Sequence, residues 1–184
     1  MSMDYEAVEK AYHDRLTGAA ALVRKGAAAN DAGDLVVAKR KDGQVAVAFL
    51  VTFRHHNRSQ AVDVVLPLTE GSNRILRDEL GDHVLPESLL PKSGQFIAPI
   101  LEQGQWTIVI KDRTCVVLDG WSTNGSCVVP SSVSFERHPR HFGEPDGGPG
   151  GIAVEHANEG RTPVPLREGD SLIGCYASFV FGWV

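Results

Sequence analysis

Cysteine is scarce in this chain, and Cys115, Cys127 and Cys175 are odd in number and widely spaced. They match neither a disulfide framework nor a C-x-x-C metal clamp, so a reducing, cytoplasmic setting is expected. Long apolar runs are also missing. The longest, Val45 to Phe53, is far short of the ~20 residues that a membrane span requires. There is no excess of positive charge either: the formal net charge is −5. Broad attraction to nucleic-acid backbones or anionic lipid is therefore not expected. The opening MSMDYEAVEK is acidic and has no apolar stretch, so no secretory leader is expected. Neither a glycine-rich phosphate loop followed by Lys-Ser/Thr nor an H-E-x-x-H pair occurs. No cofactor or metal is anticipated.

What is present suits a folded protein. Across 184 residues, 42% are hydrophobic and 22% charged, enough to bury a core and rule out wholesale disorder. The length corresponds to one ordinary domain of ~100 to 200 residues with an appendage.

From about Asp4 to Ala29, Tyr5, Val8, Tyr12, Leu16, Ala19, Leu22 and Val23 recur at steps of three and four, with Glu6, Glu9, Lys10, Asp14 and Arg15 between them. That period predicts an amphipathic helix, ended by the turn-forming residues from Asn30 to Asp34. Residues 1–33 are expected to form an N-terminal helical appendage with a surface for self-association.

After Gly33 the period changes. Leu35 to Ala38 and Val45 to Phe53 are β-rich and joined across Lys41-Asp42-Gly43, which predicts a hairpin. A second hairpin is expected between Val45 to Phe53 and Ala61 to Leu68. Further strands are expected at Phe96 to Leu101, Trp106 to Lys111, Cys115 to Leu118, Cys127 to Val129 and Leu172 to Trp183. Many short strands with no helical pattern after residue 34 point to an all-β sandwich or barrel over residues 34–184. The proline- and glycine-rich stretch at about 131–165 is expected to be a long loop insertion.

Three ordered segments resemble the forkhead-associated (FHA) domain family. Gly71-Ser-Asn-Arg-Ile-Leu-Arg77 follows a strand as that family's glycine-arginine loop does. Ser122-Thr-Asn-Gly-Ser126, after Val117-Leu118-Asp119, is close to the family's D-x-x-S-x-N-G-T turn. Leu166-Arg-Glu-Gly-Asp-Ser-Leu-Ile-Gly174, followed by Phe179-Val-Phe181, is close to its closing L-x-x-G-D-x-I-x-x-G and final strand. The resemblance covers roughly residues 44 to 184. It implies an FHA-like two-sheet β-sandwich with its binding loops at one end.

The resemblance further implies a protein-interaction module recognising a phosphothreonine-containing segment of a partner, with roles in signalling. Arg77 then corresponds to the phosphate-contacting arginine, and Thr123 and Asn124 to residues contacting phosphate or peptide backbone. Gly125 would be the permissive turn residue beside them. A guanidinium presents forked N–H donors that fit phosphate oxygens, and an asparagine amide can both donate to and accept from an extended backbone.

The sequence departs from the family pattern at Leu76, where glycine is usual. Its S-R-x-H loop has only Ser93-Gly-Gln-Phe96 as a counterpart, in which Ser93 survives while Gly94 and Phe96 replace arginine and histidine; Ser88 is an alternative register. These departures keep a second expectation open, a degenerate FHA-like scaffold or assembly subunit that binds its partner without phosphate.

Ordinary explanations compete at each position. Arg77 can be a solvated turn residue, and Asn124-Gly125 is a favoured hairpin turn in any protein. His55, His56, His138, His141 and His156 lack partners at ligand spacing and suit solvated loops. Arg137, Arg140, Lys111 and Arg113 suit a solvated surface. Ser122 is no catalytic nucleophile by pattern, because Gly120-Trp-Ser-Thr-Asn124 lacks the second glycine of the G-x-S-x-G elbow. The chain is therefore not expected to be an enzyme.

Overall fold

A computed structural model describes residues 4–26, 35–52, 63–75, 81–84, 106–119, 126–133, 152–154, 163–174 and 177–184. Helix α1 spans Tyr5–Lys25. The Asp4 side chain caps its start by accepting from the Ala7 backbone N–H at 3.1 Å. Gly26, in the left-handed region at φ 61°, closes its end by returning its N–H to the Leu22 and Val23 carbonyls. The apolar stripe is turned inward, with Val8, Tyr12, Ala19, Ala20 and Leu22 buried, while Glu6, Glu9, Lys10 and Asp14 face out.

Thirteen strands follow among the described residues: β1 (Leu35–Val37), β2 (Lys39–Arg40), β3 (Ala48–Thr52), β4 (Asp63–Leu68), β5 (Gly71–Ile75), β6 (His83–Val84), β7 (Trp106–Lys111), β8 (Thr114–Asp119), β9 (Ser126–Val129), β10 (Ile152–Val154), β11 (Val164–Pro165), β12 (Ser171–Gly174) and β13 (Ala177–Trp183). They form a seven-stranded sheet in the order β1-β4-β3-β13-β12-β9-β10, a four-stranded sheet in the order β11-β8-β7-β5, and the small β2-β6 pair.

The two larger sheets make a sandwich because their side chains alternate with period two. Leu50, Leu66, Leu68, Val128, Leu172, Phe179 and Phe181 on one sheet meet Ile75, Trp106, Ile108, Ile110, Cys115 and Val117 on the other. The larger sheet is apolar on its outer face as well. There Phe49, Val51, Val65 and Val180 pack against α1, which explains why β3 is buried along its whole length.

The chain is thus mainly a β-sandwich with one N-terminal helix laid over it as a third layer. Tyr12 ties this layer down: its hydroxyl donates to the Gly169 carbonyl and lies 3.1 Å from Ser171 Oγ. The adjoining turn is fastened by Asp170, which accepts from the Ser131 and Arg167 backbone N–H groups, each at 2.9 Å.

Several sequence expectations need correction. Leu35 to Ala38 does not form a hairpin with the strand after Gly43. Instead, β1 runs parallel to β4, with Val36 opposite Val64. The Asp-Gly turn does form, because Arg40 forks onto Asp42 at 3.0 and 2.6 Å and Asp42 accepts from Gln44 N–H at 3.0 Å. However, Lys39 and Arg40 before the turn pair with β6, so the turn joins two different sheets.

The expected second hairpin is present as β3 and β4, with Leu50 opposite Leu66. Gly71 to Ile75 is strand β5 rather than loop. Leu172 to Trp183 is not one strand but the antiparallel pair β12 and β13. The 131–165 stretch is not wholly loop, since β10 joins β9 and β11 joins β8. The Phe96 to Leu101 strand falls outside the described residues.

Candidate functional site

Ladder register identifies one rim of the sandwich. Ile75, the last residue of β5, lies opposite Trp106, the first of β7. Trp106 lies opposite Asp119, the last residue of β8. In the other sheet, Ser126 begins β9 opposite Gly174, the end of β12. The two sheets are joined here by side chains: Trp106 Nε1 donates to Ser126 Oγ at 2.8 Å, and Ser126 Oγ donates to Asp119 Oδ2 at 2.5 Å. The described residues Ile75, Asp119, Ser126 and Gly174 are therefore strand ends at this rim.

Of the sequence-predicted site residues, Arg77 falls in 76–80, Thr123, Asn124 and Gly125 in 120–125, and Ser93 in 85–105. Arg77, Ser93, Thr123, Asn124 and Gly125 lie outside the described residues, as do Leu76, Ser88, Gly94, Phe96 and Ser122. The residues bracketing them are described. Arg77 is two positions beyond Ile75, and Asn124 is two positions before Ser126.

The 76–80 segment is held at both ends. Asp82 N–H donates to the Arg74 carbonyl at 3.1 Å, and Asp82 Oδ2 accepts from Arg74 N–H at 2.7 Å. The chain comes back through Gly81 at φ +57°, where a Cβ would sit 2.0 Å from the Arg74 carbonyl oxygen. Only glycine combines that left-handed turn with so close a backbone approach. The side chains of Arg74 and Asp82 also approach to 3.8 Å, a partly exposed pair of small energetic weight.

A second polar group lies toward the opposite rim and has a structural explanation. Asn73 is fully buried, and its amide donates to the carbonyls of Thr69 at 2.9 Å, Gly71 at 3.3 Å and Ile108 at 3.2 Å. Its oxygen accepts from Thr69 N–H at 2.9 Å and from Arg40 at 2.8 Å. This network uses its hydrogen-bonding capacity on the protein itself. Among the described residues, no three His, Cys, Asp or Glu side chains gather as a metal site. No described helix is long and apolar enough to cross a membrane.

Sequence reasoning missed Gly81, Asp82 and the Trp106–Ser126–Asp119 chain. The signal for the last was the alternation of β8. Cys115 and Val117 are inward, so Asp119 falls on the same buried face, and a carboxyl group there calls for a partner.

Comparisons with protein-family models and with curated proteins give no match. Among solved structures, the chain is similar to Mycobacterium tuberculosis EmbR in complex with a low-affinity phosphopeptide, with 22% identity and a TM-score of 0.42, over 78% of this chain and 26% of that one. This chain thus spans about a quarter of that protein's length. It is also similar to the FhaA FHA domain complexed with the intracellular domain of Rv3910, at 16% identity, 73% and 99% coverage of the two chains and a TM-score of 0.39. A third similarity is to the FHA domain of an Arabidopsis thaliana hypothetical protein, at 14% identity, 86% and 95% coverage and a TM-score of 0.42.

Proposed function

We propose that this chain is a protein-interaction module that recognises a phosphothreonine-containing segment of a partner, without catalysis, in a cytoplasmic setting. The observation that carries this reading is the rim: Ile75, Trp106 and Asp119 are successive neighbours across one sheet, and Ser126 is hydrogen-bonded to two of them. Two residues of chain reach no more than ~7 Å. That supports Arg77 and Asn124, each two residues from this group, acting on one ligand.

The chemistry assigns the roles. Arg77 supplies positive charge and forked donors to the phosphate dianion. Thr123 adds a hydroxyl donor, Asn124 bonds the peptide backbone, and Gly125 permits the turn. Ser93 is an additional hydroxyl donor in the same proposal. The scaffold alternative draws no support from α1, because the apolar residues Val8, Tyr12, Ala19 and Leu22 are buried against the chain's own sheet.

The test is titration of the full chain and its Arg77→Ala variant with a degenerate phosphothreonine peptide library and the matching threonine library. A charge-assisted hydrogen bond contributes about 1.5–3 kcal/mol, so Arg77→Ala should weaken phosphopeptide binding about 10- to 150-fold. It should leave binding of the unmodified library unchanged. Equal binding of both libraries by both proteins refutes phosphate recognition.

A further inference from the structure

We infer that Trp106, Ser126 and Asp119 are positioning residues that hold the end of β8 to the start of β9, and that the binding proposed above for Thr123 and Asn124 depends on this tie. The inference rests on the binding role proposed above for those two residues. Its structural basis is that Asp119 ends a strand of the four-stranded sheet and Ser126 begins a strand of the seven-stranded sheet. The chain between them therefore passes from one sheet to the other. Its two ends are joined directly by the Ser126 Oγ to Asp119 Oδ2 hydrogen bond at 2.5 Å.

The direction of this chain of bonds follows from chemistry. An indole nitrogen can only donate, so the 2.8 Å contact from Trp106 Nε1 occupies an acceptor site on the serine oxygen. The single hydroxyl proton is then available to Asp119. Trp106 thereby selects one orientation of a group that would otherwise rotate. All three residues are buried, at 0%, 1% and 0% exposure for Trp106, Ser126 and Asp119. Water cannot readily replace a lost partner at such depth, which makes the arrangement stiff. Trp106 also borders Ile75 in the ladder, so the same side chain stands next to the departure of the segment carrying Arg77.

Hydrogen–deuterium exchange by mass spectrometry and peptide titration, applied to the full chain, test the inference together. In Ser126→Ala, exchange in β8 and β9, the strands this hydrogen bond joins, should rise about tenfold, the scale of losing one buried hydrogen-bond partner, with β3 and β13 unchanged. Phosphopeptide affinity should fall by a similar factor, and Ser126→Thr, which keeps the hydroxyl, should restore both. Asp119→Asn provides the same exchange comparison should Ser126→Ala fail to fold.

Unchanged exchange in β8 and β9, or an equal rise in β3 and β13, overturns the positioning role. Failure of the threonine variant to restore either property does so as well. Loss of phosphate discrimination in the unmodified protein instead overturns the binding role, while the exchange measurement still decides whether these residues hold β8 to β9.

Discussion

Replacing Gly81 with alanine separates two costs that usually arrive together. At φ +57° an alanine pays the left-handed backbone penalty, about 1–2 kcal/mol. Its Cβ would also meet the Arg74 carbonyl oxygen at 2.0 Å and the carbonyl carbon at 2.5 Å, so the backbone must move. That movement disrupts the Asp82 N–H to Arg74 bond at 3.1 Å and the Arg74 N–H to Asp82 bond at 2.7 Å, at about 1 kcal/mol each.

Gly81→Ala should therefore cost about 3–4 kcal/mol, or roughly 6–16 °C in Tm for a domain of this size. Gly26 is the matched control, with φ +61° and nothing within 4 Å of a Cβ. Gly26→Ala should cost only the backbone term, about 1–2 kcal/mol. Urea unfolding of both variants, monitored by far-UV circular dichroism, gives the comparison. Equal destabilisation of the two would refute the close return of the chain against Arg74.

Three other outcomes are expected. Gly182→Ala should loosen the helix from the sheet, since its Cβ would lie 2.4 Å from Phe49 Cζ and 3.0 Å from Leu16 Cδ1; overpacking of this kind costs about 1–3 kcal/mol, measurable by urea unfolding. The Arg40 side chain, followed by the Gln44 backbone N–H, lowers the Asp42 carboxyl to about 2. Its folded value is depressed, so its contribution is present above the usual carboxylate range and is lost as pH falls through that range toward about 2. With Asp42 substantially exposed, the stability gap between wild type and Asp42→Asn should shrink by no more than about 1 kcal/mol on acidification, and a gap independent of pH would contradict the assignment. Burial pushes the Cys115 thiol up to about 12, so iodoacetamide at mildly alkaline pH should leave it unlabelled until denaturant is added, as peptide mapping can verify.

The elements legible in the sequence were those whose side chains report their own environment. Trp106, Ile108 and Ile110 alternate with less buried neighbours, and β7 has the expected bounds. The helix likewise declared its apolar stripe, with Val8, Tyr12, Ala19 and Leu22 buried as the period requires. The pairing of β1 was not legible, because Asp42-Gly43 has the same residue chemistry whether it closes a ladder or carries the chain from one sheet to another. β5 was hidden by polarity: Ser72 and Arg74 face out, and the inward Asn73 is accommodated by backbone carbonyls and Arg40. The proposed site was legible only through motif resemblance. Its support was not, since the partnership of Trp106 with Ser126 and Asp119 is created by register between strands distant in sequence.

The central claim is that a phosphorylated ligand engages the end of the sandwich marked by Ile75, Trp106, Asp119 and Ser126. Nuclear magnetic resonance titration with the phosphothreonine library reads this directly through backbone amides and the Trp106 indole N–H. Shift changes should concentrate at those four residues, with α1 and the Asp112–Arg113 turn, which joins β7 to β8 at the other end of their ladder, unaffected. Changes confined to that turn or to α1, or none at all at saturating ligand, would contradict the account.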